Sequence, residues 1–156
     1  MSHPENYKIA TLKEHVGRDF GHAPPALLDQ RRIDHFAGCT GDHQWIHVDA
    51  ERARSQSPFG QTIAHGLLVL SLVPKAHFDL DVYPDDAKGV LNYGFDRVRF
   101  LSPVQSGSYV RIHVELAEVS EKQPGQWLVR CKNTAYAGGD AWRPVMVAES
   151  LAMVVA

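Results

Sequence analysis

One apolar stretch limits what this chain can fold into more than any other feature. Residues 60–74 read Gly-Gln-Thr-Ile-Ala-His-Gly-Leu-Leu-Val-Leu-Ser-Leu-Val-Pro. Over 62–73 the stretch is apolar on every face, and a helix of that kind is normally buried all round. Something must wrap it. Pro74 does not favour continuation, so the helix stops there or kinks and runs on to Phe78. His65 and Ser71 interrupt the run, which falls far short of the ~20 residues needed to span a bilayer.

The wrapping comes from the second half of the chain. After Gly89 the hydrophobic period changes to two, and strands are expected over 90–101, 108–119, 127–136 and 145–155. The second alternates most cleanly, with Val110, Ile112, Val114 and Leu116 on one face and Arg111, His113 and Glu115 on the other. Turns at Gln123-Pro-Gly125 and Gly138-Gly-Asp140 make these runs antiparallel neighbours. The last run is apolar on both faces except for Glu149 and Ser150, so it should lie centrally. Helices and strands fall in separate blocks, which argues for an α+β fold, one domain over 1–156, with an antiparallel sheet curled around the buried helix.

The first half is more broken. Residues 1–8 read as a loose polar arm without the apolar core of a secretory signal. A short strand or helical turn is expected within 12–20, followed by a breaker at Gly21-His-Ala-Pro-Pro25. Asp29 can cap a helix over 30–38, with Ile33, Phe36 and Ala37 on one face and Gly38 and Gly41 ending it. Asp49 can cap a second, short helix over 50–56. Residues 79–88 are acidic and polar and read as an exposed loop.

The titratable residues gather in the loop that leaves the first helix. Asp42 and His47 lie five positions apart, and a carboxylate and an imidazole can share one water, one orienting it and the other moving its proton near neutral pH. The plain alternative makes Asp42 a turn cap and His47 a core histidine. His43 reads as a surface residue, and His65 as a satisfied buried histidine. A metal is not expected: no cysteine joins the group, and His65 would have to swing in as a third ligand. Gly66 lies near the start of the buried helix, where glycine costs about 1 kcal/mol relative to alanine. Its N–H could meet a substrate carbonyl, as an oxyanion donor must; equally, the glycine could serve close helix–sheet packing. Arg97, Arg99 and Arg111 read as solvated or ion-paired strand residues.

Charge excludes some classes of partner. Lys and Arg number 16 against 18 Asp and Glu, so no basic face points to nucleic acid. Cys39 and Cys131 are the only cysteines, their spacing fits no metal pattern, and both read as buried free thiols of a cytoplasmic protein.

Phe36-Ala-Gly-Cys-Thr-Gly-Asp-His-Gln-Trp-Ile-His47 resembles the signature of the R-specific enoyl-CoA hydratases, the MaoC-like dehydratases of the hot-dog fold. Thr62-Ile-Ala-His-Gly-Leu67 resembles the family's second block, and Asn92 to Phe100 with Pro103-Val104 its first strand after the helix. Where the commoner signature has Asn-Pro this chain has Gln44-Trp45, a version similar to the NodN-like branch. The spacing from Asp42 to His47 is kept, while the pocket shape is open to change. The resemblance implies a catalytic dyad of Asp42 and His47 and an oxyanion donor at the Gly66 N–H. It implies a long central helix, no metal and no cofactor, and an acyl-CoA or acyl-carrier-protein thioester as substrate. It also implies a homodimer whose sheets join edge to edge near the site. The expected reaction is reversible hydration of a trans-2-enoyl-CoA to the (R)-3-hydroxyacyl-CoA. A hot-dog thioesterase and a non-catalytic acyl-CoA or lipid-signal binding protein are the alternatives.

Overall fold

A six-stranded antiparallel sheet wraps the apolar stretch in the computed structural model, which describes residues 3–139 and 141–156. A 3-10 helix (Ile9–His15) leads into β1 (Asp19–His22) and β2 (Ala26–Leu28). Three helices follow, α1 (Gln30–Thr40), α2 (Trp45–Val48) and α3 (Ala50–Gln56). The central pair is α4 (Gly66–Leu70) and α5 (Leu72–Asp79). The remaining strands are β3 (Gly89–Phe100), β4 (Ser108–Gln123), β5 (Gln126–Gly138) and β6 (Arg143–Val155). The strand order is β1-β4-β5-β6-β3, with the short β2 also pairing β4. β4, β5 and β6 are successive hairpin neighbours, whereas β3 lies beyond β6 rather than beside β4. That placement makes β6 an interior strand, which accounts for its apolar character without an edge contact, and leaves β3 as an edge. The turn at 138–140 includes Asp140, which is outside the described residues.

The alternation in β4 turns Val110, Ile112, Val114 and Leu116 inward, all buried, into one core that also holds Val73 of α5 and Ile33 of α1. Burying an aliphatic side chain of this size contributes about 1.5–3 kcal/mol, so this layer supplies much of the driving force. Asp29 caps α1 by accepting the Arg32 N–H at 2.9 Å, and Asp49 caps α3 by accepting the Arg52 N–H at 2.9 Å. α1 runs past Gly38 and ends at Gly41, whose φ of 79° is the left-handed conformation that glycine adopts at least cost.

The central helix differs from the expected one in three ways. It begins at Gly66 rather than near 62, because 62–65 are extended and Ile63 bridges to Gln105. It breaks at Ser71, since Pro74 has no N–H for the Leu70 carbonyl, and resumes as α5. It is not buried all round: Leu67 is 61% and Phe78 64% exposed. About three turns separate them, which puts both on one face.

A buried polar chain fastens α5 to the sheet. Asn133 donates from Nδ2 to the Cys131 carbonyl and to Ser150 Oγ, both at 2.9 Å, so its Oδ1 faces His77. His77 Nε2 donates to that oxygen at 2.7 Å, and His77 Nδ1 accepts from the Tyr83 hydroxyl at 2.8 Å. Burial pushes the His77 imidazole below its ordinary value, with the Asn133 hydrogen bond opposing.

Two segments are better anchored than their composition suggests. Tyr7 in the N-terminal arm is buried and its hydroxyl donates to the Val82 carbonyl. Leu80 and Val82, within the acidic connection 79–88, are themselves core residues. Cys131 is buried, and burial pushes its thiol up to about 12, but Cys39 is exposed. It falls on the outer side of α1, away from the face that carries Ile33 and Ala37.

Candidate active site

The left-handed turn at Gly41 ends α1 and delivers Asp42 to the surface. Its Oδ1 accepts the Gln44 N–H at 3.3 Å, and the chain then makes a single helical turn, α2. His47 therefore sits on a helical turn rather than in open loop. That turn points its ring inward, where it is 7% exposed. His47 Nδ1 lies 2.7 Å from the Ile63 carbonyl. A carbonyl only accepts, so Nδ1 carries the proton and the neutral ring keeps its lone pair on Nε2. The Ile63 N–H donates to the Ile46 carbonyl at 3.1 Å, which clips α2 to the strand-like segment before α4.

That segment brings in His65, the N-cap of α4, only 3% exposed. Its Nε2 donates to the Asp42 carbonyl at 3.0 Å and lies 3.9 Å from Asp42 Oδ2. Its ring stacks on His47 with centroids 3.8 Å apart. His65 is thus buried as expected but only half satisfied, because Nδ1 is buried with no partner among the described residues. His43 is exposed and stands apart.

Asp42, His47 and His65 offer donor atoms that all lie within 4.8 Å of one another. Two hydrogen bonds of about 2.8 Å bridge such a gap through one water. The same cluster has the residue types of a metal site, and His65 does swing in. Its orientation fits poorly, however. The two rings are stacked with their planes only 27° apart, and one nitrogen of each is engaged by a backbone carbonyl. Ligands of a tetrahedral ion point at a common centre.

His47 and Gly66 line one cavity of about 280 Å³, whose walls include Val69, Phe100 and Val145. Gly66 is the first residue of α4, where a helix leaves its N–H without an internal acceptor. A Cβ at Gly66 would come within 3.1 Å of three Phe100 ring atoms, so close packing also favours glycine here. Asp42 does not line this cavity; its carboxylate is 54% exposed and meets the two imidazoles from the solvent side. Burial pushes His47 below the ordinary imidazole value and His65 adds to that, while the Ile63 carbonyl and Asp42 pull it back up.

Gln30 is a supporting residue that sequence reasoning missed. From the first turn of α1 its Nε2 donates to the His47 carbonyl at 2.8 Å, and its Oε1 accepts from Thr62 Oγ1. It ties α1, α2 and the 62–65 segment together, and no spacing rule marks it. The strand arginines have partners outside this group. Arg97 pairs with Glu149 at 2.8 Å, Arg99 bonds the Val98 carbonyl at 2.7 Å, and Arg111 lies over the Trp142 ring at 4.2 Å.

Comparison with known proteins agrees with this architecture. Residues 11–137 match the model of the MaoC like domain. The 3-hydroxyacyl-thioester dehydratase Z of Mycobacterium tuberculosis is 39% identical over 151 residues, covering 95% of this chain and 96% of the relative. Nodulation protein N of Rhizobium leguminosarum bv. viciae is 47% identical over 111 residues, covering 70% of this chain and 68% of the relative. Among solved structures, the R-hydratase PhaJ1 of Pseudomonas aeruginosa superposes with a TM-score of 0.72 at 26% identity, covering 90% of this chain and 81% of that one. The sheet and helices are those of the hot-dog fold. The chain belongs to the MaoC-like dehydratase family.

Proposed function

We propose that this protein is a hydro-lyase that interconverts a trans-2-enoyl thioester and the (R)-3-hydroxyacyl thioester, with Asp42 and His47 as its acid–base pair and Gly66 as its oxyanion donor. One observation carries the reading. The Ile63 carbonyl holds the proton on His47 Nδ1, so the basic Nε2 is free in a ring that lines an apolar cavity. The same cavity reaches Gly66 at the start of α4. In the hydration direction the thioester oxygen accepts the Gly66 N–H, and negative charge builds there as the water oxygen bonds to Cβ. A preorganised donor of this kind is worth about 10²–10³ in rate. His47 takes the water proton and Asp42 orients the water. The proton held by the pair is delivered to Cα, so water adds across the double bond and nothing else is consumed. Positioned proton transfer contributes about 10²–10⁴.

The relatives named for hydratase and 3-hydroxyacyl-thioester dehydratase activity support this class of substrate. Coenzyme A and acyl carrier protein are both compatible carriers. A homodimer fits the exposed apolar residues of the β3 edge, Leu91 at 62% and Tyr93 at 66%, together with Leu67 and Phe78. Among the described residues no helix is long and apolar enough to cross a membrane.

The test is an assay of purified protein with crotonyl-CoA and longer trans-2-enoyl-CoA substrates. Loss of the unsaturated thioester absorbance is followed beside free thiol release. Alkene loss without thiol release is the expected result. Thiol release without alkene loss would make the protein a thioesterase, and saturable binding without either would make it a binding module.

A further inference from the structure

We infer that His65 is a positioning residue, one half of a reciprocal clasp that holds the Asp42–His47 segment in register with the start of the central helix. Its kinetic consequence rests on the hydratase reading above; its existence rests on hydrogen-bond geometry alone. The two histidines come from different segments, and each donates to the backbone of the other's segment. His47 donates to the carbonyl of Ile63, two residues before His65. His65 donates to the carbonyl of Asp42, the residue whose carboxylate completes the site. The loop so closed runs from Asp42 along the chain to His47, across to Ile63, along to His65 and back to Asp42.

The rings pack against this loop. They stack at 3.8 Å with an interplanar angle of 27°, and Phe36 packs on His65 at 5.1 Å. The Ile46–Ile63 backbone bond lies inside the same loop. His65 is also the N-cap of α4, its carbonyl accepting the Leu68 and Val69 N–H groups at 3.1 and 3.3 Å. Its position therefore sets where the next residue, Gly66, presents its N–H. A histidine kept only for core packing would not need a donor aimed at the Asp42 carbonyl. The clasp fixes the tautomers: the proton on Nε2 of His65 and on Nδ1 of His47.

Two substitutions separate donor from ring. His65→Phe keeps the aromatic stack and removes the donor, whereas His65→Gln keeps an N–H near the Nε2 position and removes the ring. If the donor is what positions the pair, His65→Phe lowers kcat by about 10- to 100-fold, the scale of a 1 Å misplacement, with KM and circular dichroism near wild type. His65→Gln then retains kcat within about threefold of wild type on the same reasoning. Wild-type kcat in His65→Phe, or equal impairment in both variants, overturns the proposal. An imidazole ¹H–¹⁵N spectrum of the wild-type protein decides the clasp without activity and without any variant that must fold. Nε2–H on His65 with Nδ1–H on His47 upholds it, and Nδ1–H on His65 overturns it. A wild-type protein that hydrates no enoyl thioester while showing those tautomers would refute the hydratase reading and leave the clasp standing.

Discussion

Replacing Asn133 with leucine should destabilise the protein far more than its loss of one side chain suggests. The side chain is 1% exposed and lies between α5 and the sheet. Leucine has the same branching and heavy-atom count but bulkier methyl groups, so a polar cost adds to a modest steric one. The change removes the acceptor at 2.7 Å from His77 Nε2–H and the donor at 2.9 Å to Ser150 Oγ. A buried group left without its partner costs about 1–3 kcal/mol. Ser150 keeps a long contact of 3.5 Å to the Cys131 carbonyl, which lowers its share. The sum is roughly 2–4 kcal/mol, a large fraction of the 5–15 kcal/mol typical of a domain. Urea unfolding at pH 7.5 measures it. His77→Leu should cost less, by about 1 kcal/mol or more, in the Asn133→Leu background than in the wild type, because there it also removes the orphaned Nε2–H, whereas the Tyr83 hydroxyl loses its acceptor in both backgrounds. The pH dependence has a definite sign. His77 titrates below its unfolded value of about 6.5, so its contribution is whole above that pH and is lost as pH falls toward the folded value. The double variant should therefore show a flatter acid limb, with a residual slope from His47 and His22, which are also lowered. Strict additivity of the two substitutions, or an Asn133→Leu loss under about 0.5 kcal/mol, would refute the reasoning.

His47 should set the acid limb of the kcat/KM profile. Its folded value lies below the ordinary imidazole value, so activity should persist below about pH 6.5 and fall only as the ring protonates; a limb above 6.5 would contradict it. Gly66→Pro removes the N–H at a helix position that accepts proline, and kcat should fall by about 10²–10³ with the helix content kept. Gly66→Ala keeps the N–H and meets only the half-exposed Phe100 ring at 3.1 Å, so it should lose less activity than Gly66→Pro; equal losses would argue for packing alone. The proposed homodimer should give way to monomer in light scattering when Leu91→Lys is combined with Tyr93→Lys on the β3 edge, and a dimer mass kept in that variant would remove the edge as its contact.

Much of this structure was legible because the relevant physics is local or periodic. The alternation of Val110, Ile112, Val114 and Leu116 is enough to assign their face, and Asp29 and Asp49 cap the helices that follow them. The departures come from tertiary context. The start of the central helix moved to Gly66 because Ile63 and Ala64 are held by partners far along the chain, Gln105 and Val104. No pattern in the sequence says that Leu67 and Phe78 stay uncovered in a single chain, or that Tyr7 is drawn onto Val82. At the site, the Asp42–His47 spacing drew attention to two of the residues. Gln30, Thr62 and the orientation of His65 depend on which backbone carbonyls three separate segments bring together, and spacing does not encode that.

The proposed chemistry requires one carboxylate and one imidazole to work on the same water. Asp42→Asn and His47→Gln, each purified, folded and assayed with crotonyl-CoA, test it most directly. Either change should lower kcat at least about 10²-fold, and the double variant should lose little more than the worse single, as groups acting as a unit do. Turnover near wild type in either folded variant would contradict it.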